Sequence, residues 1–226
     1  MAEAAQKPSP PSNLTQRIIT AAIAIPPVIL LISLGDWPFG VLLAVVGLLA
    51  VLEMYYMMRH HGHGVVFLLS VFYVGAPLTM LMWLRSSTQG LVWCAIIVSI
   101  TWVTDSMAYV GGRLFGRTPL SLRISPSKTR EGALIGYASG GVATILTLAV
   151  TNYLTPASLI LALIGPIAAI VGDLFESYIK RRFHKKDSHL PGLNILPGHG
   201  GVMDRIDGLL FVCVLCFGFA VLVGLN

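Results

Sequence analysis

Residues 157–180 read ASLILALIGPIAAIVGDLFESYIK. This is an apolar run of about the 20 residues that carry a helix across a bilayer, and it ends in Asp173, Glu176 and Lys180. Six more windows of this kind lie at about 17–35, 38–58, 65–84, 90–111, 132–152 and 206–225. Their length and lack of alternation suit helices, because barrel strands are shorter and alternate apolar with polar. A segment in lipid must also satisfy its own backbone hydrogen bonds, which a helix does alone. The expected fold is an all-α polytopic transmembrane bundle of about seven spans.

Composition agrees. Of 226 residues, 55% are hydrophobic and 11% charged, far below the roughly 25% charged content of soluble domains. Mean hydropathy is +0.80, so an ordinary soluble domain is excluded. The net charge of +5 sits in the connections between spans, where it calls for a membrane surface and not for nucleic acid.

The cations orient the bundle, since short loops rich in Lys and Arg stay on the cytoplasmic side. With the N-terminus cytoplasmic, Lys7, Arg17, Arg59, Arg113, Arg117, Arg123, Lys128, Arg130, Lys180, Arg181, Arg182, Lys185, Lys186 and Arg205 share one face. Only Arg85 falls on the other. Residues 1–16 are polar and proline-containing and are expected to form a disordered cytoplasmic tail; 17–226 are expected to form a single transmembrane domain, with cytoplasmic loops at 112–131 and 180–205.

This orientation gathers the acids too. Glu53, Asp105, Asp173, Glu176 and Asp207 all fall near the cytoplasmic ends of their helices. A charged side chain within a span is a functional hypothesis by default. Asp173 and Glu176 stand three apart, as do Asp204 and Asp207, so each pair can present its carboxylates to a common point. Two converging pairs of oxygen ligands suit a hard cation, with Mg2+ the first choice. The plainer reading is that these acids only pair with Arg205, Lys180 and Arg181 at the interface.

The basic loops offer the complementary chemistry. Residues 112–131 and 180–205 mix Arg, Lys, hydroxyls and glycines, as polyphosphate binding requires. Attraction to anionic lipid accounts for the charge, at about 1 kcal/mol per cation, but not for the order of SPSKT or PGHGG.

Ser177, Lys180, Arg181, Lys186 and Asp187, followed by Pro197, Gly198, His199, Gly200, Gly201, Asp204, Arg205 and Asp207, resemble the motif of the phosphatidate cytidylyltransferases, or CDP-diacylglycerol synthases. DSMAYVGGRLFGRTPLSLRISPSKTREG at 105–132 is similar to a second block of that family. The likeness covers essentially the second half of the chain. The stretch between Asp187 and Pro197 is longer here than in the family.

The resemblance implies attack by phosphatidate on the α-phosphorus of CTP, giving CDP-diacylglycerol and pyrophosphate in phospholipid biosynthesis. It implies Asp173 and Asp204 as metal ligands, with Asp207 and Glu176 beside them, and Mg2+ as the cofactor with room for a second cation. Lys180, Arg181 and Arg205 would hold phosphate charge, with Ser177 in the same motif. Ser125, Lys128 and Thr129 would hold nucleotide or lipid phosphate. His199, Gly200 and Gly201 belong to a turn that brings backbone amides near phosphate; His199 is not needed as a base, because a phosphate nucleophile is already ionised. Asp105 would bind metal or orient a neighbouring base. The partners implied are CTP, phosphatidate, the bilayer and a second copy of the chain. The location implied is an integral membrane protein with its site facing the cytoplasm, which in a bacterium is the plasma membrane.

Two other readings stay open: a CTP-dependent enzyme acting on another lipid, such as a CDP-archaeol synthase, and a membrane transporter. The transporter calls for acids near the midplane and broken helices in symmetric halves. Here the acids cluster toward one face. Arg59, His60, His61 and His63 read as a polar interfacial loop. Cys213 and Cys216 read as packing residues of an apolar helix, as does Cys94, and no structural disulfide is expected. The glycines of GYASGGVA at 136–143 allow close helix approach, within the bundle or between subunits.

Overall fold

A computed structural model describes residues 13–58, 64–185, 188 and 200–224. The first twelve residues of the tail expected at 1–16, the Arg59 to His63 cluster, and Lys186, Asp187, Pro197, Gly198 and His199 lie outside them.

Among the described residues are seven α-helices: α1 (Asn13–Leu34), α2 (Asp36–Met58), α3 (Gly64–Ser86), α4 (Gly90–Phe115), α5 (Arg130–Val150), α6 (Leu159–Arg182) and α7 (Met203–Val223). Six are long and apolar enough to span a membrane, and α1 adds a shorter apolar stretch at Ala22–Leu34. Between 22% and 39% of each spanning window is buried within the protein, which leaves a large apolar exterior suited to a bilayer. Outward side chains such as Leu48, Phe72, Leu146 and Leu222 belong to it.

The boundaries differ from expectation in three places. Helix α1 begins at Asn13, so residues 13–16 are helical where a tail was expected. Helix α7 begins at Met203, which puts Asp204 in its first turn. The expected loop at 112–131 is mostly ordered. Its start is the end of α4, and an antiparallel hairpin follows, β1 (Pro119–Ser121) with β2 (Ser125–Thr129), in register Pro119 to Thr129 and Ser121 to Ser125. Thr129 then caps α5, its hydroxyl accepting from the Gly132 amide at 3.1 Å.

Small residues bring the helices together. Gly132, Gly136 and Gly140 recur every fourth residue along α5 and lie against α4, the most extensive helix pair in the bundle. A Cβ at Gly136 would fall 2.6 Å from the Thr104 carbonyl and 2.7 Å from the Ala108 Cβ. The glycines of GYASGGVA therefore serve packing inside the bundle. The core around these contacts includes Ile97, Ile100, Leu161, Cys213 and Cys216, all nearly inaccessible. Cys94, Cys213 and Cys216 are free thiols.

Arg85, the lone cation of the far side, has a structural role. Its guanidinium donates to the Ile32 carbonyl at 2.7 Å and the Ser33 carbonyl at 3.1 Å. These belong to the last turn of α1, whose carbonyls have no helical partners. Arg85 so ties α3 to α1 at the α1–α2 turn.

Candidate active site

On α6, Asp173, Glu176, Ser177 and Lys180 follow the i, i+3, i+4, i+7 pattern and share one face. The first two turns of α7 carry Asp204 and Asp207. What brings the helices close at this level is a glycine contact. A Cβ on Gly172 would stand 2.7 Å from the Asp207 carbonyl and 2.9 Å from the Gly208 Cα. Asp173 and Asp207 are the immediate neighbours of those glycines, so the contact that packs the helices also sets their carboxylates in register.

The start of α7 is held by a residue from another helix. Glu53 of α2 is 2% exposed. It accepts from the Val202 and Met203 amides at 2.8 Å each and from the Ser188 hydroxyl at 3.1 Å. Those amides are orphan donors of a helix N-terminus, where a carboxylate is also favoured by the helix dipole. Glu53 shares the depth of the other acids but serves as an anchor. Gly201 packs directly on its carboxylate, leaving no room for a side chain. Gly200 has φ +77°, the left-handed region that glycine enters freely.

Asp204 accepts from the Gly201 amide at 2.9 Å through Oδ2 and from Lys180 Nζ at 2.7 Å through Oδ1. Lys180 Nζ also meets Glu176 Oε2 at 2.5 Å. That ion pair is tight in distance but lacks hydrogen-bond geometry, and Glu176 Oε1 is buried without any hydrogen-bond partner among the described residues. Lys128 of β2 reaches over the helices to pair with Asp173 and donates to the Ser177 hydroxyl at 3.4 Å. Asp207, 6% exposed, accepts from the Gly208 amide at 2.7 Å and lies in the field of Asp173, Glu176 and Asp105. Asp105, on α4, is in the field of Asp173, Lys128 and Arg205.

The acids therefore associate across the expected pairs. Glu176 and Asp204 converge on Lys180, whereas Asp173 is turned to Lys128 with Asp207 and Asp105 around it. The interfacial ion pairing that the sequence left open is present at Lys180. Arg181 instead donates to the Ile124 carbonyl at 3.3 Å, pinning the hairpin to the end of α6. Arg205 is exposed and Ser125 is buried. Sequence reasoning passed over two residues here: Glu53, noted only as an acid at the right depth, and Tyr73, whose buried hydroxyl has no hydrogen-bond partner among the described residues and lies in the field of Asp207 and Glu176. A polar ring in an apolar helix was the available signal.

Among the described residues no three His, Cys, Asp or Glu side chains form a ready ligand set for a metal. The donors still fit Mg2+, which takes oxygen ligands and commonly only one or two carboxylates, completed by waters and substrate phosphates. Asp105, Asp173, Glu176, Asp204 and Asp207 outnumber the nearby cations Lys128, Lys180 and Arg205. Glu176 sits beside Asp204, and its carboxyl oxygens have no hydrogen-bond partner among the described residues, so they are available to a cation.

This bundle of apolar helices gathers at one end carboxylates, lysines and glycine turns of the kind that can bind metal ions and phosphate groups. The family model described as "Cytidylyltransferase family" matches residues 56–223. The chain is 31% identical over 214 residues to a "Phosphatidate cytidylyltransferase" of Rickettsia typhi, covering 91% of each chain. It is 32% identical over 214 residues to one of Rickettsia bellii, covering 91% of this chain and 90% of that one. It is 43% identical over 129 residues to one of Thermotoga maritima, covering 54% and 46%. The chain belongs to the cytidylyltransferase family, and it is a nucleotidyltransferase.

Proposed function

We propose that this enzyme condenses CTP with phosphatidate to give CDP-diacylglycerol and pyrophosphate, at the cytoplasmic face of the membrane. The printed names of its relatives support the substrates, and the excess of lysines and arginines at the hairpin end supports the face. The observation that carries the reading is the crossed cluster of α6 and α7, where Lys180 and Lys128 are held by the same acids a metal would need.

A phosphate oxygen of phosphatidate forms the new bond to the α-phosphorus of CTP as the bond to the β-phosphate oxygen breaks. Two polyanions must meet, so charge neutralisation and positioning supply most of the catalysis. Lys128 and Lys180 exchange their carboxylates for phosphate oxygens, assisted by Ser177, Arg181 and Arg205. Ser125 and Thr129 hold the hairpin side of the nucleotide or lipid phosphate, Thr129 by fixing the start of α5. Gly200 and Gly201, with His199 before them, bring the turn ahead of α7 close to the substrate. Asp173, Asp204, Asp207 and Glu176 would hold Mg2+, which when bound stabilises charge on the transferring phosphate.

Purified protein in detergent, given labelled CTP, phosphatidate and magnesium, is expected to form CDP-diacylglycerol. Asp173→Asn and Asp204→Asn should each lower turnover by a factor on the order of 100 or more, the scale of losing one charge-stabilising group. Full activity in either variant overturns its assignment as a metal ligand, and absence of product from the wild type overturns the reaction.

A further inference from the structure

A groove of about 650 Å³ lies between the hairpin and the end of α6, and of the residues given a role in the reaction above only Arg181 lines it. Leu120, Leu122 and Tyr178 supply its apolar wall, and Arg123, Arg130 and Arg182 its cationic rim. All three arginines are exposed, and none forms an ion pair with a carboxylate among the described residues. Glu131, next to Arg130, turns its carboxylate to the Arg117 and Thr118 amides at 3.1 and 3.2 Å.

The helix geometry separates this groove from the acid cluster. At 100° per residue, Tyr178 and Arg182 of α6 point roughly opposite to Glu176 and Lys180. The groove side of α6 continues down the bundle as Ile167, Val171, Phe175 and Tyr178, each between 41% and 49% exposed. A continuous apolar stripe thus runs from the lipid-facing surface into an arginine-rimmed groove. The tip of the hairpin carries Leu122, 78% exposed, which extends that apolar surface.

We propose that this groove binds an anionic glycerophospholipid of the surrounding leaflet, its phosphate against Arg123, Arg130 and Arg182 and its acyl chains along the α6 stripe. Charge complementarity selects an anion, because unpaired arginines at a membrane boundary attract anionic headgroups. The stripe selects a lipid over a soluble nucleotide, since it offers aliphatic surface at the depth of acyl chains. The site lies beside the catalytic cluster and does not depend on the substrates proposed above. It rests on the hairpin end lying at a membrane boundary.

Native mass spectrometry of the full chain in detergent tests this with phosphatidylglycerol, which lacks the phosphomonoester of phosphatidate, against phosphatidylcholine of the same acyl chains. Phosphatidylglycerol is expected to be retained in preference to phosphatidylcholine. The Arg123→Gln/Arg182→Gln double variant should weaken that retention about tenfold or more. Leu122→Glu, at an exposed tip where folding is not at stake, should weaken it as well. Equal retention of both lipids overturns the proposal, as does undiminished retention in both variants. Displacement of the lipid by CTP alone, without magnesium, would identify a nucleotide site and overturn it too. Retention with the expected pattern supports the groove even if the CTP assay yields no product.

Discussion

Lys180 stands between Glu176 and Asp204, two carboxylates from different helices, and is itself mostly buried, at 14% side-chain exposure. Removing one partner of such a group leaves uncompensated charge in a low-dielectric setting, which typically costs ~3–5 kcal/mol. Lys180→Met should therefore lower both thermal stability and turnover, read by unfolding in detergent and by the CTP assay. Asp173→Asn is different. Its partner Lys128 and Asp173 itself are about one-third exposed, at 30% and 31%, and such pairs contribute about 0–1 kcal/mol. The melting temperature of Asp173→Asn should stay near that of the wild type while activity is lost. A large fall in stability there would show that Asp173 serves the fold. The i, i+4 spacing of Glu176 and Lys180 was legible in the sequence; the choice of Asp204 as the third member was not, because nothing local relates residues on separate helices.

Two devices position the helices that carry those residues. The first is the contact of Gly172 with Gly208, and Gly172→Ala would drive a methyl group into the Asp207 backbone. Overpacking of this kind costs about 1–3 kcal/mol, and here the displaced backbone carries an acid of the cluster. Turnover should fall along with the melting temperature. Gly218→Ala, on the same helix α7 with open space around it, should change neither. The second device is the Glu53 clamp on α7. Glu53→Gln keeps one acceptor oxygen for three donors, so at least one buried amide or hydroxyl loses its partner, at a cost of about 1–3 kcal/mol. A melting temperature equal to that of the wild type would show that the clamp is not needed. Helices α2 to α7 were legible from their apolar windows to within a few residues. The hairpin was not, since strands of three and five residues rich in Ser, Pro and Lys carry no hydrophobic period to read.

At the scale of the whole molecule, the bundle has its chemistry at one end and Arg85 at the other. That polarity predicts which end faces the cytoplasm. In cells, an impermeant thiol reagent should label Ser87→Cys from outside, and Arg123→Cys only after the membrane is opened. The buried native thiols of Cys94, Cys213 and Cys216 should stay silent in the same experiment. The reverse labelling pattern would invert the orientation and move the proposed site to the outer face. The apolar exterior and polar end fit a reaction between a lipid headgroup at the membrane boundary and a nucleotide arriving from water.

Composition and hydropathy alone determined that this chain is a helical membrane protein, because lipid tolerates only segments that satisfy their own backbone bonds. Local order was enough for the motifs as well: acids three apart, SPSKT, and glycines ahead of the last helix. Which acid faces which lysine was decided by tertiary structure, through the Gly172–Gly208 contact and the Glu53 clamp. Both join residues distant in sequence, and only the packed bundle brings them within reach of each other.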